Sequence, residues 1–365
     1  MRVSVGPAGL VEVVTGAASL GQGVETVVAQ ICADALGVDY RRVRVVHGRT
    51  DRIAFGVGAF ASRVTVMTGE ATRLAAVEVR AKAIEVAAEL LQQPADALEV
   101  VDGAVVRKGA VAGPSVTLGE VAKALEPASK LRGARAPGLS ADGWFYSDHM
   151  NYPYGVHIAV AKVDRDTGGV TIERYMLAYD IGRAVNPMLV EGQLTGGFAQ
   201  GIGGALLEEF LYDERGEPLS VNFADYLMPT AREVPAPEVL ITEDAPSPLN
   251  PLGLKGAGEG GINAVGAAIA SAIDDAVGMP GAITRLPVTP QRLREIPQAR
   301  RPLTRRSGQL PQQANDGLLL GGGERRQRLV GNLPGNLHRR IQRRRGRRRS
   351  VRWRDDGGRS HPGGR

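Results

Sequence analysis

Glu259 lies in a segment of the chain that consists mostly of glycine. Glu259 has glycine on both sides within the segment 255–261 and is followed by an apolar run. A carboxylate held in this way lets a substrate come close, and it can then act as a general base. An acidic residue at this position would equally suit the capped N-terminus of the following helix. The local sequence leaves both interpretations open.

Gly21, Gln22 and Gly23 form a turn between a predicted strand and a predicted helix. The backbone N–H groups of such a turn face outward, and the helix dipole favours an anion beside them. The Gln22 amide can both donate and accept hydrogen bonds. The dinucleotide-binding fingerprint is incomplete, because Thr26 stands where its third glycine is required. Taken alone, such a turn is usually an ordinary connection from strand to helix.

Two other segments combine small residues with polar ones. Residues 54–63 have no helical or strand period and end in Ser62 and Arg63. The Arg63 guanidinium suits a phosphate, and a solvated surface loop is the alternative. Residues 192–204 are rich in glycine within a helical pattern, at a cost of about 1 kcal/mol per glycine relative to alanine. Either close helix packing or backbone contact with a ligand would account for these glycines.

The elements that must position these loops are a mixture of helices and strands. Apolar residues repeat with helical spacing or alternate with strand spacing, and Gly37 and Pro94 are natural helix ends. A stretch bearing glycine and proline at 133–143 marks an internal boundary. We therefore predict an α+β fold of two subdomains, 1–143 and 144–296, with the site between them. The predicted helices cover 24–35, 65–92, 118–125, 188–209 and 261–277, and the predicted strands cover 3–14, 43–45, 155–163 and 169–178.

Charge divides the chain into two unlike parts. The 365 residues carry a net charge of +6, but residues 297–365 hold 19 arginines, no lysine and four acidic residues, so they carry +15 and residues 1–296 carry −9. The excess of basic residues lies in this C-terminal tail, so residues 1–296 are not predicted to bind nucleic acid. Scarcity of apolar residues predicts a disordered tail. Arginine without lysine also results from out-of-frame reading of GC-rich DNA, so the tail is either a genuine basic arm or a frameshifted segment.

Residue counts exclude several kinds of site. The single cysteine, Cys32, excludes an intramolecular disulfide framework, a cysteine-rich zinc site and a self-contained iron–sulfur cluster. The histidines lack metal-ligand spacing, so no side chain is predicted to bind a metal directly. The sequence has no uncharged run of about 18 apolar residues, and its first residues do not resemble a signal peptide. We therefore expect a cytoplasmic protein without a membrane span.

The glycine loops belong to a series of five motifs along the chain. These are GQGVET (21–26), GAFASR (58–63), DIGRAVNP (180–187), GQLTGGFAQGIGGAL (192–206) and GLKGAGEGG (253–261). In this order the five motifs resemble the molybdenum-binding subunit of the xanthine dehydrogenase/aldehyde oxidase family, over roughly residues 5–296. Two further segments, YPYGVHIAV (152–160) and TRLPVTPQRL (284–293), fit the same family.

The resemblance implies a cofactor and a role for particular residues. The cofactor would be molybdenum-molybdopterin, in the cytosine dinucleotide form that is usual in bacteria. Glu259 matches the family's catalytic glutamate. The implied cofactor-binding residues are Gly21, Gln22 and Gly23 in the first loop, Ala61, Ser62 and Arg63 in the second, Gln193 in the glycine-rich helix, and Gly258 beside the glutamate.

The implied activity is hydroxylation of an aldehyde or an N-heterocycle with oxygen taken from water. Glu259 would act as the general base at the molybdenum centre, while the cofactor carries the redox chemistry. Electrons would leave through iron–sulfur clusters and FAD on partner chains, because Cys32 alone cannot ligate a cluster. The expected partners are an iron–sulfur subunit, an FAD subunit and a small-molecule substrate.

The sequence departs from the family in two respects. The family's molybdenum subunit is about twice as long, so we expect this chain to correspond to its C-terminal half and a separate chain to supply the missing N-terminal half. Ala61 stands where many relatives carry glycine. Two alternatives to a hydroxylase subunit stay open. One is a truncated remnant without catalysis, and the other is an interaction protein that binds nucleic acid or anionic surfaces through its basic tail.

Overall fold

The computed structural model describes residues 1–56, 58–110 and 112–296. The tail predicted to be disordered, 297–365, lies outside these described residues. The strands are β1 (Arg2–Val5), β2 (Val11–Val14), β3 (Val43–Val46), β4 (Leu98–Val101), β5 (Ala104–Arg107), β6 (Val116–Thr117), β7 (Leu139–Asp142), β8 (Tyr154–Val163), β9 (Val170–Asp180) and β10 (Glu238–Thr242). The α-helices are α1 (Val24–Leu36), α2 (Val64–Leu91), α3 (Leu118–Ala124), α4 (Pro187–Leu206), α5 (Val265–Val277) and α6 (Pro290–Glu295).

The first hydrophobic core forms around a four-stranded sheet with the order β3-β2-β1-β7. β1 runs antiparallel to β2 and to β7, while β2 and β3 are parallel. Alternate residues of β1 and β2 face the core, so the register partners Val3 and Val13 are both fully buried. The small antiparallel sheet β4-β5-β6 adds Leu98 and Val105 to the same core.

The chain turns back on itself where the sequence predicted one strand over 3–14. The Gly6 N–H donates to the Leu10 carbonyl, the Gly9 N–H donates to the Gly6 carbonyl, and Gly9 has a φ of +74°. Pro7 and Gly9 favour such a tight turn. The prediction of a single strand was wrong, because these residues make a hairpin of β1 and β2.

Helix ends follow the sequence signals. Gly37 closes α1 with a φ of +86°, and its N–H donates to the Ala33 carbonyl. A Cβ at Gly37 would lie 2.5 Å from the Val100 carbonyl oxygen, so packing also requires glycine there. α2 stops before Pro94. The predicted end of α1 and the predicted long second helix are confirmed.

The second core lies between a three-stranded sheet, β10-β9-β8, and the helices α4 and α5. β8 is antiparallel to β9, and β10 is parallel to β9. The rings of Phe198 and Tyr175 pack with their centroids 4.2 Å apart. A Cβ at Gly201 would lie 2.6 Å from the Cβ of Val265, so glycine lets α4 approach α5.

Separate groups of helices and mostly antiparallel strands confirm the predicted α+β class. The buried residues of the first core lie between Val3 and Ala141, and those of the second lie between Ile172 and Leu293. The subdomain boundary at 143 stays a prediction. Within the described ranges, no helix is long and apolar enough to cross a membrane.

Candidate functional site

A cleft of about 420 Å³ lies where the glycine-rich loops meet. Its wall comes from residues near 20–27, 59–65, 181–193 and 254–259. A cavity of this size can hold a cofactor-sized molecule. Seven of the nine predicted site residues line it: Gly21, Gln22, Ser62, Arg63, Gln193, Gly258 and Glu259.

The other two predicted residues do not line the cleft. Gly23 precedes α1 with a φ of +79°, and a Cβ there would lie 2.8 Å from Leu189 Cδ1. Ala61 is exposed and has a φ of +51°. Gly23 therefore allows α1 to approach α4, and Ala61 shapes the second loop. Direct contact of either residue with a cofactor stays a prediction.

Three helices begin at the cleft. α1 starts after Gly23, α2 after Arg63 and α4 after Asn186, and residues from the beginning of each helix line the wall. Helix N-termini carry a partial positive charge and N–H groups without intrahelical partners. Asn186 Oδ1 accepts one of them, the Leu189 N–H, at 3.2 Å. The remaining N–H groups and the three dipoles make the cleft suited to an anion.

Two arginine side chains add to this positive charge. The Arg63 guanidinium lies 4.5 Å from the centre of the Phe60 ring. Neither Arg63 nor Arg183 forms an ion pair within the described chain, and Glu259 is the single acidic residue in the lining. Free guanidinium groups bind phosphate strongly. Arg183 lies in the motif DIGRAVNP, in which no binding residue was predicted.

The second of the glycine-containing loops, residues 58–63, holds Ser62 against Glu259. Ala61 and Ser62 both adopt left-handed φ values, +51° and +52°, which cost on the order of 1 kcal/mol each outside glycine. Ser62 Oγ donates to Glu259 Oε2 at 2.9 Å and accepts from the Glu259 N–H at 2.9 Å. A glycine at position 61 would adopt this conformation without strain.

Three of the glycines around Glu259 permit close packing. Each stands where a Cβ would overlap a neighbouring group, so no other residue fits without a shift. The three pairs are Gly256 with Ser62, Gly260 with the ring of Tyr179, and Gly261 with the carbonyl of Leu194. These contacts press the segment 255–261 against the second loop, β9 and α4.

Gly258 differs from these three glycines. A Cβ at Gly258 would meet Ser62 Oγ at 3.6 Å and Gln193 Oε1 at 3.8 Å, which are ordinary contacts. Its φ also lies outside the left-handed region. Neither packing against the described residues nor backbone strain requires glycine here. Because Gly258 lines the cleft, the missing side chain leaves room for a ligand.

Glu259 does not cap α5. The helix was predicted from 261 but begins at Val265, and its capping position is Ala264, which makes no side-chain hydrogen bond. Glu259 is exposed at the cleft, and its Oε1 has no hydrogen-bond partner among the described residues. Burial is the main reason why the pKa of Tyr179 is raised to about 12, and the nearby charge of Glu259 adds to this shift. The capping interpretation is excluded, and Oε1 is free to accept a proton.

A buried ion pair anchors the start of this segment. Lys255 Nζ lies 2.9 Å from Asp180 Oδ1, and the two side chains are 6% and 12% exposed. Asp180 Oδ2 accepts from the Thr242 hydroxyl and from the N–H groups of Asp244 and Ala245. Burial alone would raise the pKa of Asp180, but the bonds from Lys255 and the backbone hold it below its ordinary value. The pair ties the glutamate segment to the ends of β9 and β10.

His157 fixes the carbonyl that follows Glu259. Its Nε2 lies 3.0 Å from the Gly260 carbonyl oxygen, and its Nδ1 lies 2.8 Å from the Tyr175 hydroxyl. Because a carbonyl only accepts, Nε2 carries the proton and Tyr175 donates to Nδ1. Burial lowers the pKa of His157, although the Gly260 carbonyl opposes this shift. His157 therefore positions the backbone next to Glu259. Nothing in the spacing of the histidines along the sequence indicated this role.

The two predicted glutamines differ in their availability. Gln22 bonds within its own turn, where Oε1 accepts from the Leu20 N–H at 2.5 Å and Nε2 donates to the Ala18 carbonyl at 3.3 Å. Gln193 makes no side-chain hydrogen bond to any described residue and lines the cleft. Gln193 can therefore bind a ligand directly, whereas Gln22 would first have to exchange a hydrogen bond.

The glycines of α4 are of two kinds. A Cβ at Gly201 would clash with Val265, and a Cβ at Gly197 would lie only 3.0 Å from the backbone of Gly261. Other α4 glycines, such as Gly196, would meet no described atom within 4 Å. Close packing, one of the two alternatives for this helix, thus explains the first kind only.

Comparison with known proteins points to one family. The family model described as molybdopterin cofactor-binding domain matches residues 1–235. The chain is 46% identical over 291 residues to subunit gamma of the 6-hydroxypseudooxynicotine dehydrogenase complex of Paenarthrobacter nicotinovorans, covering 80% of this chain and 36% of that protein. It is 35% identical over 296 residues to the xanthine dehydrogenase molybdenum-binding subunit of Escherichia coli O157:H7, covering 80% and 38%.

A solved structure agrees with these sequence relatives. CO dehydrogenase from Oligotropha carboxidovorans superimposes with a TM-score of 0.73 at 33% identity, over 81% of this chain and 36% of that one. The chain therefore spans little more than a third of the length of the curated relatives it matches. The family model includes the loops at 21–26 and 58–63 and ends before Glu259.

Proposed function

Because this chain belongs to the molybdopterin-binding subunits of the xanthine dehydrogenase family, we propose that its cleft holds molybdenum-molybdopterin. The observation that carries this proposal is the cleft itself, in which three helix N-termini and two unpaired guanidinium groups surround about 420 Å³. A flat, phosphate-bearing pterin fits such a space and charge. When bound, the molybdenum centre would supply the redox chemistry of substrate oxidation.

Residues of this chain would bind the cofactor from several sides. Arg63, at the start of α2, and Arg183, near the start of α4, would bind phosphate groups. The cytosine dinucleotide form carries two phosphates and would engage both guanidinium groups. The Gln193 amide would hydrogen-bond the pterin, and Gly258 would let the ligand approach the backbone.

Glu259 is the proposed general base of the hydroxylation. Ser62 fixes Oε2 of this cleft-lining residue through its hydroxyl and leaves Oε1 without a hydrogen-bond partner among the described residues. Oε1 would accept the proton of the water-derived hydroxyl that is transferred to the substrate. His157 and Lys255 would keep the segment 255–261 in register while the proton moves.

The substrate class and the partners follow from the same proposal. The substrate would be an aldehyde or an N-heterocycle, hydroxylated with oxygen from water in the cytoplasm. Electrons would pass to iron–sulfur and FAD subunits. The name of one relative describes it as subunit gamma of a dehydrogenase complex, which supports assembly with partners.

Two neighbouring glycines provide a matched test of cofactor binding. Gly258→Ala should leave the free energy of unfolding within about 0.5 kcal/mol of wild type, because its Cβ meets only ordinary contacts. It should nevertheless lower the molybdenum content at least several-fold, because the methyl group enters the cleft. Gly261→Ala should reduce the free energy of unfolding by about 1–3 kcal/mol, because its Cβ overlaps the Leu194 carbonyl.

Urea unfolding and metal analysis of the same preparations separate the two effects. Wild-type molybdenum content in a stably folded Gly258→Ala variant would remove Gly258 from the cofactor site. Equal stability of both variants would show that the packing around Glu259 differs from the one described.

A further inference from the structure

The glycine-rich segment 255–261 needs contacts from outside to keep one conformation, because glycine loses more backbone freedom on folding than any other residue. Lys255 anchors the start of the segment through its ion pair, and Ser62 binds Glu259 itself. Neither contact fixes the backbone that follows the glutamate. The Gly260 carbonyl oxygen does lie there, and it accepts a hydrogen bond from His157 Nε2 at 3.0 Å.

Tyr175 lies behind His157 in the second core. The side chain of Tyr175 is 1% exposed, and its ring packs on Phe198 with the centroids 4.2 Å apart. In the strand register Tyr175 stands opposite Ala159, two positions from His157 and on the same face of the sheet. The Tyr175 hydroxyl therefore reaches His157 Nδ1 at 2.8 Å, and the two rings meet edge to face.

The hydroxyl of Tyr175 is not needed for packing. Phenylalanine would keep the ring contact with Phe198 and would place no polar group in the core, where an unpaired hydroxyl is costly. Within the described chain the hydroxyl bonds to His157 and to no other residue. The polar group of this core residue thus serves the histidine.

We propose that Tyr175 is a positioning residue, which fixes the His157 imidazole so that it holds the Gly260 carbonyl and keeps Glu259 in place. Because Nε2 of the neutral ring donates to this carbonyl, Nδ1 has a lone pair that accepts the Tyr175 proton. The two bonds together prevent rotation of the ring about the Cβ–Cγ bond. Neither Tyr175 nor His157 lines the cleft, so both act through the segment 255–261. The consequence for catalysis rests on the proposed function.

Amide hydrogen exchange of the full chain tests this positioning role. Tyr175→Phe removes only the hydroxyl, so urea unfolding should show a protein that still folds cooperatively. Exchange of the Glu259 N–H, which donates to Ser62 Oγ, should become about 3–10-fold faster, the effect expected for losing one neutral hydrogen bond. Equal exchange in wild type and Tyr175→Phe would overturn the proposal.

Tyr179→Phe is the matched control. Tyr179 lies on the same face of β9 and its ring packs on Gly260, but its hydroxyl forms no hydrogen bond with a described residue. The same chemical change should therefore leave exchange of the Glu259 N–H unchanged. An increase as large as that in Tyr175→Phe would overturn the proposal.

Variants of His157 test whether Tyr175 acts through it. His157→Gln can donate to the Gly260 carbonyl and accept from Tyr175, so it should keep the slow exchange of wild type, whereas His157→Leu loses both bonds. Adding Tyr175→Phe to His157→Leu should not increase exchange of the Glu259 N–H further, because the hydroxyl then has no imidazole to hold. Additive effects, or exchange in His157→Gln as fast as in His157→Leu, would overturn the proposal.

Nitrogen NMR of the wild-type chain labelled with [¹⁵N]histidine provides a test that needs no destabilised variant. The His157 signals are assigned by their loss in His157→Gln. Burial lowers the pKa of His157, so its ring is neutral at neutral pH. The expected spectrum shows a protonated Nε2 and an unprotonated Nδ1 that accepts a hydrogen bond. A proton on Nδ1 would overturn the proposal.

Turnover of the assembled, cofactor-loaded complex completes the test. Tyr175→Phe should lower kcat about 3–10-fold and leave KM unchanged, because it displaces Glu259 without touching the substrate. Unchanged kcat despite faster exchange would overturn the link to Glu259. The exchange and NMR measurements require neither molybdenum nor turnover. A chain without molybdenum would therefore contradict only the proposed function, and slow exchange in Tyr175→Phe would contradict only the role of Tyr175.

Discussion

Replacing Glu259 with glutamine should abolish turnover of the assembled, cofactor-loaded complex and leave its molybdenum content unchanged. Loss of a general base lowers a rate by about 10²–10⁴-fold. Glutamine keeps the size of the side chain and can still accept the Ser62 hydroxyl at its amide oxygen. It cannot take up a proton at the position of Oε1. The expected loss therefore lies in kcat, measured by steady-state turnover alongside metal analysis.

Glu191→Gln is the matched control for this substitution. Glu191 is exposed on α4 and lies outside the cleft lining, so the same chemical change there should leave turnover and molybdenum at wild-type values. Wild-type turnover in Glu259→Gln would remove Glu259 from the mechanism. Loss of molybdenum together with turnover would instead make Glu259 a residue that holds the cofactor.

Asp180→Ala should destabilise the protein by about 3–5 kcal/mol, the range for removing one partner of a buried ion pair. The substitution leaves the Lys255 ammonium buried without its counter-ion, and three further donors lose the Oδ2 acceptor. The exposed Asp166 of the β8–β9 turn is the control, because Asp166→Ala should change the free energy of unfolding by no more than about 0.5 kcal/mol. Urea unfolding at neutral pH measures both.

The same carboxylate predicts how the stability of the wild type depends on pH. The folded-state pKa of Asp180 lies below its ordinary value, so the ionised form is favoured by folding. Its contribution is complete above the pKa of the unfolded state and is lost as the pH falls through the folded value. The difference in stability between wild type and Asp180→Ala should therefore be constant near neutral pH and shrink below about pH 4. A difference that grows toward acid would contradict this account.

Local sequence patterns predicted most of the helices and strands, and each wrong prediction has a physical cause. Glycine and proline punctuation marked the ends of α1 and α2 correctly. The hairpin of β1 and β2 was missed because its alternating residues continue across the turn at 6–10. The start of α5 was placed too early because the small residues after Glu259 fit a helical pattern. In the structure, Gly260 and Gly261 serve contacts with Tyr179 and α4 instead.

The sequence predicted most residues of the site but not the contacts between their side chains. Seven predicted residues line one cleft, which the order of the glycine motifs indicated. The bond between Ser62 and Glu259 joins residues 197 positions apart, and Lys255 meets Asp180 across 75 positions. Contacts between residues so far apart in the sequence follow no spacing rule, so the sequence pattern could not predict them. The role of each glycine was ambiguous in the sequence, because packing requires glycine at 261, whereas a Cβ at Gly258 would make only ordinary contacts.

The most direct test is the amount of molybdenum per chain in protein isolated from its native host. We expect stoichiometric metal, because two guanidinium groups without an ion pair within the described chain and a glycine with room for a ligand line the cleft. Protein that folds and keeps the contact between Ser62 and Glu259 but contains no molybdenum would contradict the central claim. The cleft would then be the remnant of a lost cofactor site.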